Sequence, residues 1–514
     1  MFHALALCLK LCMRLPIISW HLGRAGALHH FAKITLLPRW LRRTLKILDK
    51  AITFGRIEKD AGIALCNALQ RLGPGFIKFG QALSTRADLI GPDLALGLSH
   101  LQDRLPPFSA RRARAQVEAA LDAPLETVFA SFDEAPVAAA SIAQVHKASL
   151  HDGQMVAVKL LRPDIARQMQ KDTDFFMGIA QLISRFSSGL ARLRLVEAVT
   201  EFQQLCEIEL DLRMEAAAGG RLAENLAADE GIRIAAMHLA YCTHDMLVTD
   251  WVDGLRLDDV TGLVAKGHNI EKLTKAAAAS FFNQVFRDGY FHADMHPGNV
   301  FVDDDGLLVP IDFGIMGYLA PQDRLFLGRL MIAILDRDYD MVARLHADAG
   351  MIGSDVPLHL FSQNIRSVVE PLLGKMLGDV SLGQIMGQIL MISKRFDIHV
   401  QPQFNLLQKT IVMAEGVARQ LNPAADMWEL SKPLAAQWVA RQTNPERLIA
   451  EARTQLTRFA QLVPTILDKL EKEQNTPPTS SSSQSPVKRK SPLNNALSGA
   501  VIVGLIWLIV HNFS

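Results

Sequence analysis

Residues 292–314, HADMHPGNVFVDDDGLLVPIDFG, carry more information about the fold than any other segment of this 514-residue chain. Asp294 and Asn299 lie five residues apart, and two short apolar runs around an Asp-Gly turn then predict a hairpin that ends at Asp312. Such a hairpin brings Asn299 and Asp312 together from its opposite arms. Carboxylate and amide oxygens suit the octahedral coordination of Mg²⁺. The segment therefore predicts a magnesium site, with Asp294 free to act on a substrate.

The two histidines of this segment allow a second interpretation. His292 and His296 have the i, i+4 spacing of a zinc site on a helix. Pro297 and Gly298 follow them directly and disfavour the helix that would align the two rings. The pattern therefore favours magnesium over zinc.

An Asp-x4-Asn loop followed by Asp-Phe-Gly is the arrangement of protein kinases, and the chain contains other parts of that arrangement. Val-Ala-Val-Lys ends at Lys159 and matches the kinase strand whose lysine pairs with ATP phosphates. A kinase also needs a helical glutamate that holds this lysine. Residues 201–220 contain four acidic candidates: Glu207, Glu209, Asp211 and Glu215. Glu207, Asp211 and Glu215 are spaced to share one face of a helix.

The glycine-rich loop of kinases should precede Lys159 as G-x-G-x-x-G-x-V. In that register Ala138, Ala140 and Ala143 occupy all three glycine positions, and Val145 stands where the valine belongs. Alanine disfavours the positive φ angles that glycine permits, so we expect a stiffer loop. The predicted nucleotide-binding loop consists of Val137, Ala138, Ala139, Ala140, Ser141, Ile142, Ala143, Gln144 and Val145.

The segment PGFIKFGQALSTRADL, residues 74–89, places Lys78, Gly80 and Gln81 within an apolar helical pattern. Lysine and glutamine normally occupy the wet face of such a helix, and glycine is disfavoured in its interior. Buried charges are tolerable only when they are paired. The pattern therefore indicates that the polar residues meet partners elsewhere in the chain.

These motifs, in this order, resemble the UbiB family of atypical protein-kinase-like proteins (the AarF/ABC type) from about residue 50 to 430. The segments VFRDGYFHADMHPGNVFV and QPQFNLLQKTIVMAEGVARQL resemble bacterial members in particular. The resemblance implies that Lys159 binds the nucleotide with Glu215 as its ion-pair partner. It also implies that Asp294 accepts a proton and that Asn299 and Asp312 bind Mg²⁺. In the family, Glu209 and Asp211 form a Glu-x-Asp motif that faces the lysine and glutamine of the Lys-x-Gly-Gln helix, here Lys78 and Gln81.

The family resemblance implies an ATP- and Mg²⁺-dependent ATPase or phosphotransferase that supports ubiquinone biosynthesis. The implied partners are quinone precursors, quinone-pathway enzymes and lipids of the bacterial inner membrane. A conventional protein kinase is an alternative, but no Ala-Pro-Glu follows Asp-Phe-Gly before the next helical pattern. A non-catalytic nucleotide- and lipid-binding scaffold is another, although Lys159, Asp294, Asn299 and Asp312 are all present.

The expected fold is α+β: an atypical protein-kinase-like fold with a small sheet-containing N-lobe, a helical C-lobe, an N-terminal helical extension and a C-terminal transmembrane helix. The segments are divided as follows: 1–50, N-terminal helical and membrane-associated; 51–130, the Lys-x-Gly-Gln extension; 131–255, N-lobe; 256–430, C-lobe; 431–474, C-terminal helices; 475–495, disordered linker; 496–512, transmembrane helix.

Composition limits the partners and the compartment. The net charge of +1, from 54 basic and 53 acidic residues, argues against a nucleic-acid-binding protein. Five scattered cysteines without a Cys-x-x-Cys motif fit a reducing cytosol.

The apolar run 496–510 rises about 22 Å as a helix and favours a single membrane span. The basic residues 488–490 before it place the catalytic body in the cytoplasm, and Gly499, Ala500 and Gly504 suit pairing with a second copy.

Overall fold

The computed structural model describes most of the chain between residues 14 and 423. The described residues are 14–31, 39–52, 60–84, 92–99, 105–186, 194–353, 356–373, 385–389 and 402–423, with the single residues 90, 101, 392, 434 and 438. All of them belong to one compact unit, Met1–Thr443. The predicted linker and transmembrane helix, and nearly all of the predicted C-terminal helices, lie outside the described residues.

An antiparallel sheet of five strands forms from residues 129–161, which contribute four strands, and from residues 246–250, which contribute the fifth. Its strands are β1 (Phe129–Phe132), β2 (Ala138–Ala139), β3 (Ala143–Leu150), β4 (Met155–Leu161) and β5 (Met246–Asp250). The order across the sheet is β1-β3-β4-β5, and β2 pairs with β3. In β4, Val156, Val158 and Leu160 are fully buried, and Lys159 lies between them on the opposite face because strand side chains alternate.

Two smaller sheets build the second lobe around the predicted hairpin. Their strands are β6 (Gly254–Arg256), β7 (Tyr290–His292), β8 (Val300–Asp303), β9 (Leu308–Pro310) and β10 (Met316–Tyr318). The hairpin is confirmed, since Val300 pairs with Pro310. β6 pairs with β8, so the strands of the two lobes separate between Asp250 and Gly254, just before the predicted boundary at residue 255.

Helices surround these sheets. In chain order they are α1 (Leu28–Phe31), α2 (Arg39–Ile52), α3 (Ala61–Leu72), α4 (Pro74–Ser84), α5 (Pro92–Ser99), α6 (Ala110–Leu121), α7 (Ile165–Phe186), α8 (Leu195–Glu209), α9 (Leu212–Leu226), α10 (Val260–Ala265), α11 (Ile270–Phe282), α12 (Pro321–Leu335), α13 (Tyr339–Asp348), α14 (Leu358–Leu373) and α15 (Pro402–Leu421). Residues 14–24 are also helical, and a π-helix, Asn283–Asp288, continues α11. Helix α12 begins seven residues after Gly314, and β10 lies between the Asp-Phe-Gly motif and this helix.

The extension helices pack on the N-lobe through aromatic rings. Phe79 of α4 stacks on Phe176 of α7 with ring centroids 4.1 Å apart, and it also meets Phe202 of α8. Phe76 lies edge-on to Phe176 at 4.9 Å. This cluster fixes α4, which carries the Lys-x-Gly-Gln motif, against the two helices that precede α9.

Among the described residues, no helix combines the length and the apolar composition that crossing a membrane requires.

Two glycines let helices α3 and α5 cross with their backbones in contact. A Cβ added to Gly62 would lie 2.5 Å from the Cα of Gly97. Because backbone atoms cannot move aside, we expect Gly62→Ala to lower the free energy of unfolding by about 2 kcal/mol, as in other overpacked sites. Urea unfolding measures this change.

The matched control is Gly220→Ala on α9, where an added Cβ has no neighbour within 4 Å. It should raise the free energy of unfolding by up to about 1 kcal/mol, because alanine restricts the unfolded chain and favours a helix. Equal stability of Gly62→Ala and the wild type would contradict the close crossing.

Candidate active site

The centre of the site is a cluster of one lysine and two carboxylates. Lys159 Nζ on β4 lies 2.7 Å and 2.9 Å from the two carboxylate oxygens of Glu215 on α9. The same Nζ lies 3.4 Å from Oδ1 of Asp312, which follows β9. Of the four acidic candidates, Glu215 is therefore the one placed on Lys159. Its side chain is only 7% exposed, whereas that of Asp312 is 45% exposed.

The charges of this cluster determine the pKa values of its members. Burial alone would lower the pKa of Lys159, but the charges of Asp312 and Glu215 outweigh it and raise that pKa above its ordinary value. The ammonium of Lys159 holds the pKa of Asp312 well below its usual range. Burial raises the pKa of Glu215, against the attraction of Lys159. Asp312 is thus ionised, and its half-exposed side chain is accessible to a metal cation.

The acidic segment does not form the single helical face that its spacing predicted. Helix α8 ends at Glu209 and α9 begins at Leu212, and Asp211 is the N-cap between them. Its carboxylate accepts a hydrogen bond from the amide of Arg213 and pairs with the guanidinium of that residue at 2.7 Å. The prediction that Glu207, Asp211 and Glu215 share one helical face is wrong, because the extended backbone of a cap residue reorients every side chain after it.

The Lys-x-Gly-Gln helix meets only part of the Glu-x-Asp motif. Lys78 Nζ lies 3.0 Å from Oε2 of Glu209, and both side chains are largely buried. The charge of Lys78 also contributes to lowering the pKa of Asp312. Gln81 is half-buried one turn further on, and its side chain makes no hydrogen bond to Glu209 or Asp211, both of which the structure describes. Lys78 is therefore a paired lysine, as the apolar pattern indicated.

Gly80 serves the packing of α4 rather than the site itself. A Cβ at this position would lie 2.5 Å from Leu69 Cδ1 and 2.7 Å from Leu101 Cδ2. Both leucines belong to the extension. The close approach that glycine permits is therefore between α4 and its neighbours in the extension.

The predicted catalytic loop is held by its buried histidine. The amide of Asp294 donates to Nδ1 of His292 at 3.1 Å, and the amide of His292 donates to Oε1 of Gln284 at 2.9 Å. Burial lowers the pKa of His292, although Asp312 and Asp294 oppose the effect. Nδ1 of His292 can accept a hydrogen bond only when it carries no proton, which the neutral form of the ring allows. Asn299 Nδ2 donates to the carbonyl of Asp294 at 3.4 Å and completes the loop.

The two predicted metal ligands flank the open end of the hairpin. The amide of Ile311 donates to the carbonyl of Asn299 at 3.0 Å, and Asp312 follows directly. Within the part of the chain that the structure describes, no group of three or more His, Cys, Asp or Glu side chains is arranged to hold a metal ion. The two histidines considered as zinc ligands instead accept hydrogen bonds within the loop. Nδ1 of His292 accepts from the amide of Asp294, and Nδ1 of His296 accepts from the amide of Gly298 at 3.1 Å.

The alanine-rich loop is a tight hairpin. Ala138 pairs with Val145 and Ala139 with Gln144, and the amide of Ala140 donates to the carbonyl of Ala143 at 2.8 Å. None of the residues 137–145 has a positive φ. Alanine is therefore compatible with all three positions at which a kinase has glycine.

Two side chains outside the predicted set hold this loop. The guanidinium of Arg162 donates to the carbonyl of Ala140 from Nε at 3.0 Å and from Nη2 at 2.8 Å. His146 Nδ1 donates to the carbonyl of Asp133, so its Nε2 accepts from the amide of Gln144 at 2.8 Å. The oxygen of Gln144 in turn accepts from the amide of Phe108. The loop is thereby attached to β3, β4 and the extension.

Comparison with known proteins places the chain in a family. It matches the ABC1 atypical kinase-like domain over residues 100–346 and the UbiB helical domain over residues 365–426. A protein of Azotobacter vinelandii named "Probable protein kinase UbiB" is 39% identical over 432 residues, which cover 83% of this chain and 80% of that protein. The chain belongs to the UbiB family.

Proteins of the same name from other bacteria agree with this assignment. The relative from Vibrio vulnificus is 39% identical over 441 residues, covering 85% of this chain and 80% of its own. The relative from Shewanella pealeana is 37% identical over 454 residues, which cover 87% of this chain and 82% of that protein. The resemblance inferred from the motifs is confirmed, and the chain is an atypical kinase-like protein with helices and sheet.

Besides the contacts of His146 described above, sequence reasoning missed three polar contacts of the UbiB-type site. These are the contacts of Arg162 with the alanine-rich loop, of Gln284 with His292, and of Lys409 with Asp294. The available signal was the one that singled out Lys78. Gln284 and Lys409 are also polar residues within apolar helical runs, FFNQVF and NLLQKTIVM.

Buried histidines make the stability of the protein depend on pH. Burial lowers the pKa of His146, His292 and His346. The unfolded chain takes up protons near pH 6.5 and the folded chain only below it, so the unfolded state binds more protons as the pH falls. We therefore expect the free energy of unfolding to decrease from about pH 7 to pH 5, as measured by urea unfolding at each pH.

His292→Asn keeps an acceptor for the amide of Asp294 but removes the titrating group, so it should reduce this slope. His151→Asn, at an exposed histidine, is the control for replacing one histidine, and the slope is compared between the two variants. A slope that is the same in His292→Asn and the wild type would contradict the assignment.

Proposed function

We propose that the protein is a Mg²⁺-dependent, kinase-type ATPase or phosphotransferase that supports ubiquinone biosynthesis at the bacterial inner membrane. The Lys159–Glu215–Asp312 cluster carries the proposal. It holds an ionised, half-exposed carboxylate beside a fixed ammonium group. Phosphoryl transfer consists largely of positioning and charge stabilisation, which is what such a cluster supplies.

The residues present fit a Mg²⁺-bound nucleotide. Asp312 and Asn299 would supply two oxygen ligands, and phosphate and water oxygens complete an octahedron in sites of this kind. Lys159 would bind phosphate oxygens, and the alanine-rich loop would cover them. Asp294 is one-third exposed and is not bonded to the cluster, which suits a group that accepts a proton from the attacking molecule.

The acceptor we favour is water or a small molecule. The extension brings Lys78 close enough to Asp312 to lower its pKa, and its partner Glu209 is buried with it. Only the short strand β10 and its flanking residues lie between Asp-Phe-Gly and α12, which leaves little chain with which to bind a peptide. The relatives' name links them to ubiquinone, whose polyprenylated precursors, or the enzymes that modify them, are the partners we propose.

Product analysis tests the reaction. The full-length protein, in detergent, is incubated with ATP and Mg²⁺, and free phosphate and phosphorylated protein are measured separately. Asp312→Asn removes the charge that holds the metal and should reduce phosphate release about 100-fold or more. Lys78→Ala should shift the product towards autophosphorylation, because it removes the cation that closes the site.

Lys272→Ala, at an exposed lysine of α11, is the control and should behave as the wild type. Phosphate release that persists in Asp312→Asn would assign the activity to a contaminant. Wild type that binds nucleotide without any turnover would favour the non-catalytic scaffold, and transfer to generic protein substrates would favour the conventional kinase.

We also propose that the N-terminal helices rest on anionic lipid and that residues 496–512 form a single membrane span. Ile17 is 58% and Trp20 46% exposed, and the guanidinium of Arg24 lies over the Trp20 ring. In α2, Ile47 is 69% exposed. Exposed basic side chains accompany it: Arg43, Lys46 and Lys50. Apolar side chains beside basic ones are typical of interfacial helices.

Lipid discs test this surface in the full-length chain. ATP turnover should be higher in discs that contain phosphatidylglycerol than in discs of phosphatidylcholine alone, because the basic helices bind anionic headgroups. The double variant Trp20→Ser, Ile47→Ser should lose most of the difference. Leu239→Ser, at a similarly exposed apolar position, is the control. A double variant that responds to phosphatidylglycerol like this control would contradict the proposed contact with anionic lipid.

A further inference from the structure

Helix α15 brings a second lysine to the catalytic loop. Lys409 Nζ lies 3.6 Å from Oδ1 of Asp294, and the two side chains are 36% and 35% exposed. Asp294 belongs to the kinase-like domain, residues 100–346, whereas Lys409 belongs to the UbiB helical domain, residues 365–426. A group from the second domain therefore contacts the predicted proton acceptor of the first.

The neighbours of Lys409 fix its position relative to the loop. Leu407 and Ile411 are buried in the core beneath the catalytic loop. Thr410 is fully buried, and its hydroxyl contacts the carbonyl of Leu406 at 2.9 Å and that of Ala293 at 3.4 Å. Helix α15 is thus attached to the residue directly before Asp294. The ammonium of Lys409 is carried by a rigid element rather than by a loop.

Stability does not account for this ion pair. Pairs that are about one-third exposed contribute little to folding, because solvent screens them and ordering both side chains opposes them. Burial of α15 depends on its apolar residues and Thr410. The pair instead contacts one oxygen of Asp294, Oδ1, and can therefore orient this carboxylate.

We propose that Lys409 is a positioning residue for phosphoryl transfer, which holds the Asp294 carboxylate towards the acceptor. This inference rests on the proposed function. In the transfer step the acceptor oxygen bonds to the γ-phosphorus and loses its proton to Asp294, while the bond from that phosphorus to the bridging oxygen breaks and ADP leaves. The UbiB helical domain thereby completes a site whose other groups lie in the kinase-like domain and the extension.

The test compares charge, length and location in the full-length protein. Lys409→Met keeps the length without the charge and should lower kcat roughly 100-fold, within the range for general acid–base catalysis, with KM for Mg·ATP nearly unchanged. Lys409→Arg should keep most of the activity. Arg419→Met, which removes a charge from an exposed position on the same helix, should behave as the wild type. All four proteins should unfold at nearly the same temperature.

A double variant separates positioning from a structural effect. If Lys409 acts through Asp294, then Lys409→Met should have no further effect on kcat once Asp294→Asn is present. Chemical rescue gives a second measure: propylammonium should partly restore kcat of Lys409→Ala but not of Asp294→Asn. Full activity of Lys409→Met, or an equal loss on both backgrounds, would overturn the inference.

Binding of Mg·ADP with aluminium fluoride, a mimic of the phosphoryl group in transfer, provides a measurement that needs no turnover. Lys409→Met should weaken this binding in the wild type and leave it unchanged in Asp294→Asn. If Lys409→Met weakens binding only where Asp294 is present, but the wild type does not turn over ATP, the result would contradict the proposed function and support the role of Lys409. Turnover without this pattern of binding would do the reverse.

Discussion

The structure depends on the ion pairs that Lys159 makes with the buried Glu215 and the half-exposed Asp312. Transferring one charge from water to a protein interior costs several kcal/mol, and removing one partner of a buried pair typically costs about 3–5 kcal/mol. The three groups come from β4, α9 and the segment after β9. They can compensate one another only when the two lobes are closed on each other. The same contact that makes the site therefore also fixes the relative position of the N-lobe sheet and the catalytic hairpin.

Packing around the Asp-Phe-Gly motif reinforces this constraint. The amide of Phe313 donates to Glu215 at 3.4 Å, and its ring is buried against α9, where Gly219 leaves room for it. Two outer lysines then complete the charge distribution. Lys78 of the extension pairs with Glu209, and Lys409 of the helical domain pairs with Asp294. The segments that distinguish this chain from a plain kinase-like domain thus each bring a cation to a carboxylate of the site.

Local motifs in the sequence predicted the fold and the centre of the site, because their chemistry is encoded within a few residues. Val-Ala-Val-Lys alternates as a strand, and the Asp-Gly turn closes the hairpin that joins Asn299 to Asp312. The break between α8 and α9 was missed because every residue from 201 to 226 is compatible with a helix; only the capping bond of Asp211 shows where one helix ends. The contact of Lys409 with Asp294 joins residues far apart in sequence, so no local pattern contains it.

The extension connects the proposed membrane face to the active site by direct contacts. The guanidinium of Arg14, in the helix of residues 14–24, pairs with Asp172 at 2.6 Å and donates to the carbonyl of Lys171. Asp172 is almost fully buried, and a Cβ on Gly75 of α4 would meet it at 2.2 Å. Glycine is therefore required where α4 passes over this carboxylate. Because α4 carries Lys78, the helix that exposes Ile17 and Trp20 and the helix that carries the Lys78–Glu209 ion pair meet at the same buried carboxylate. The proposed lipid-facing helix and this ion pair therefore belong to one packed unit.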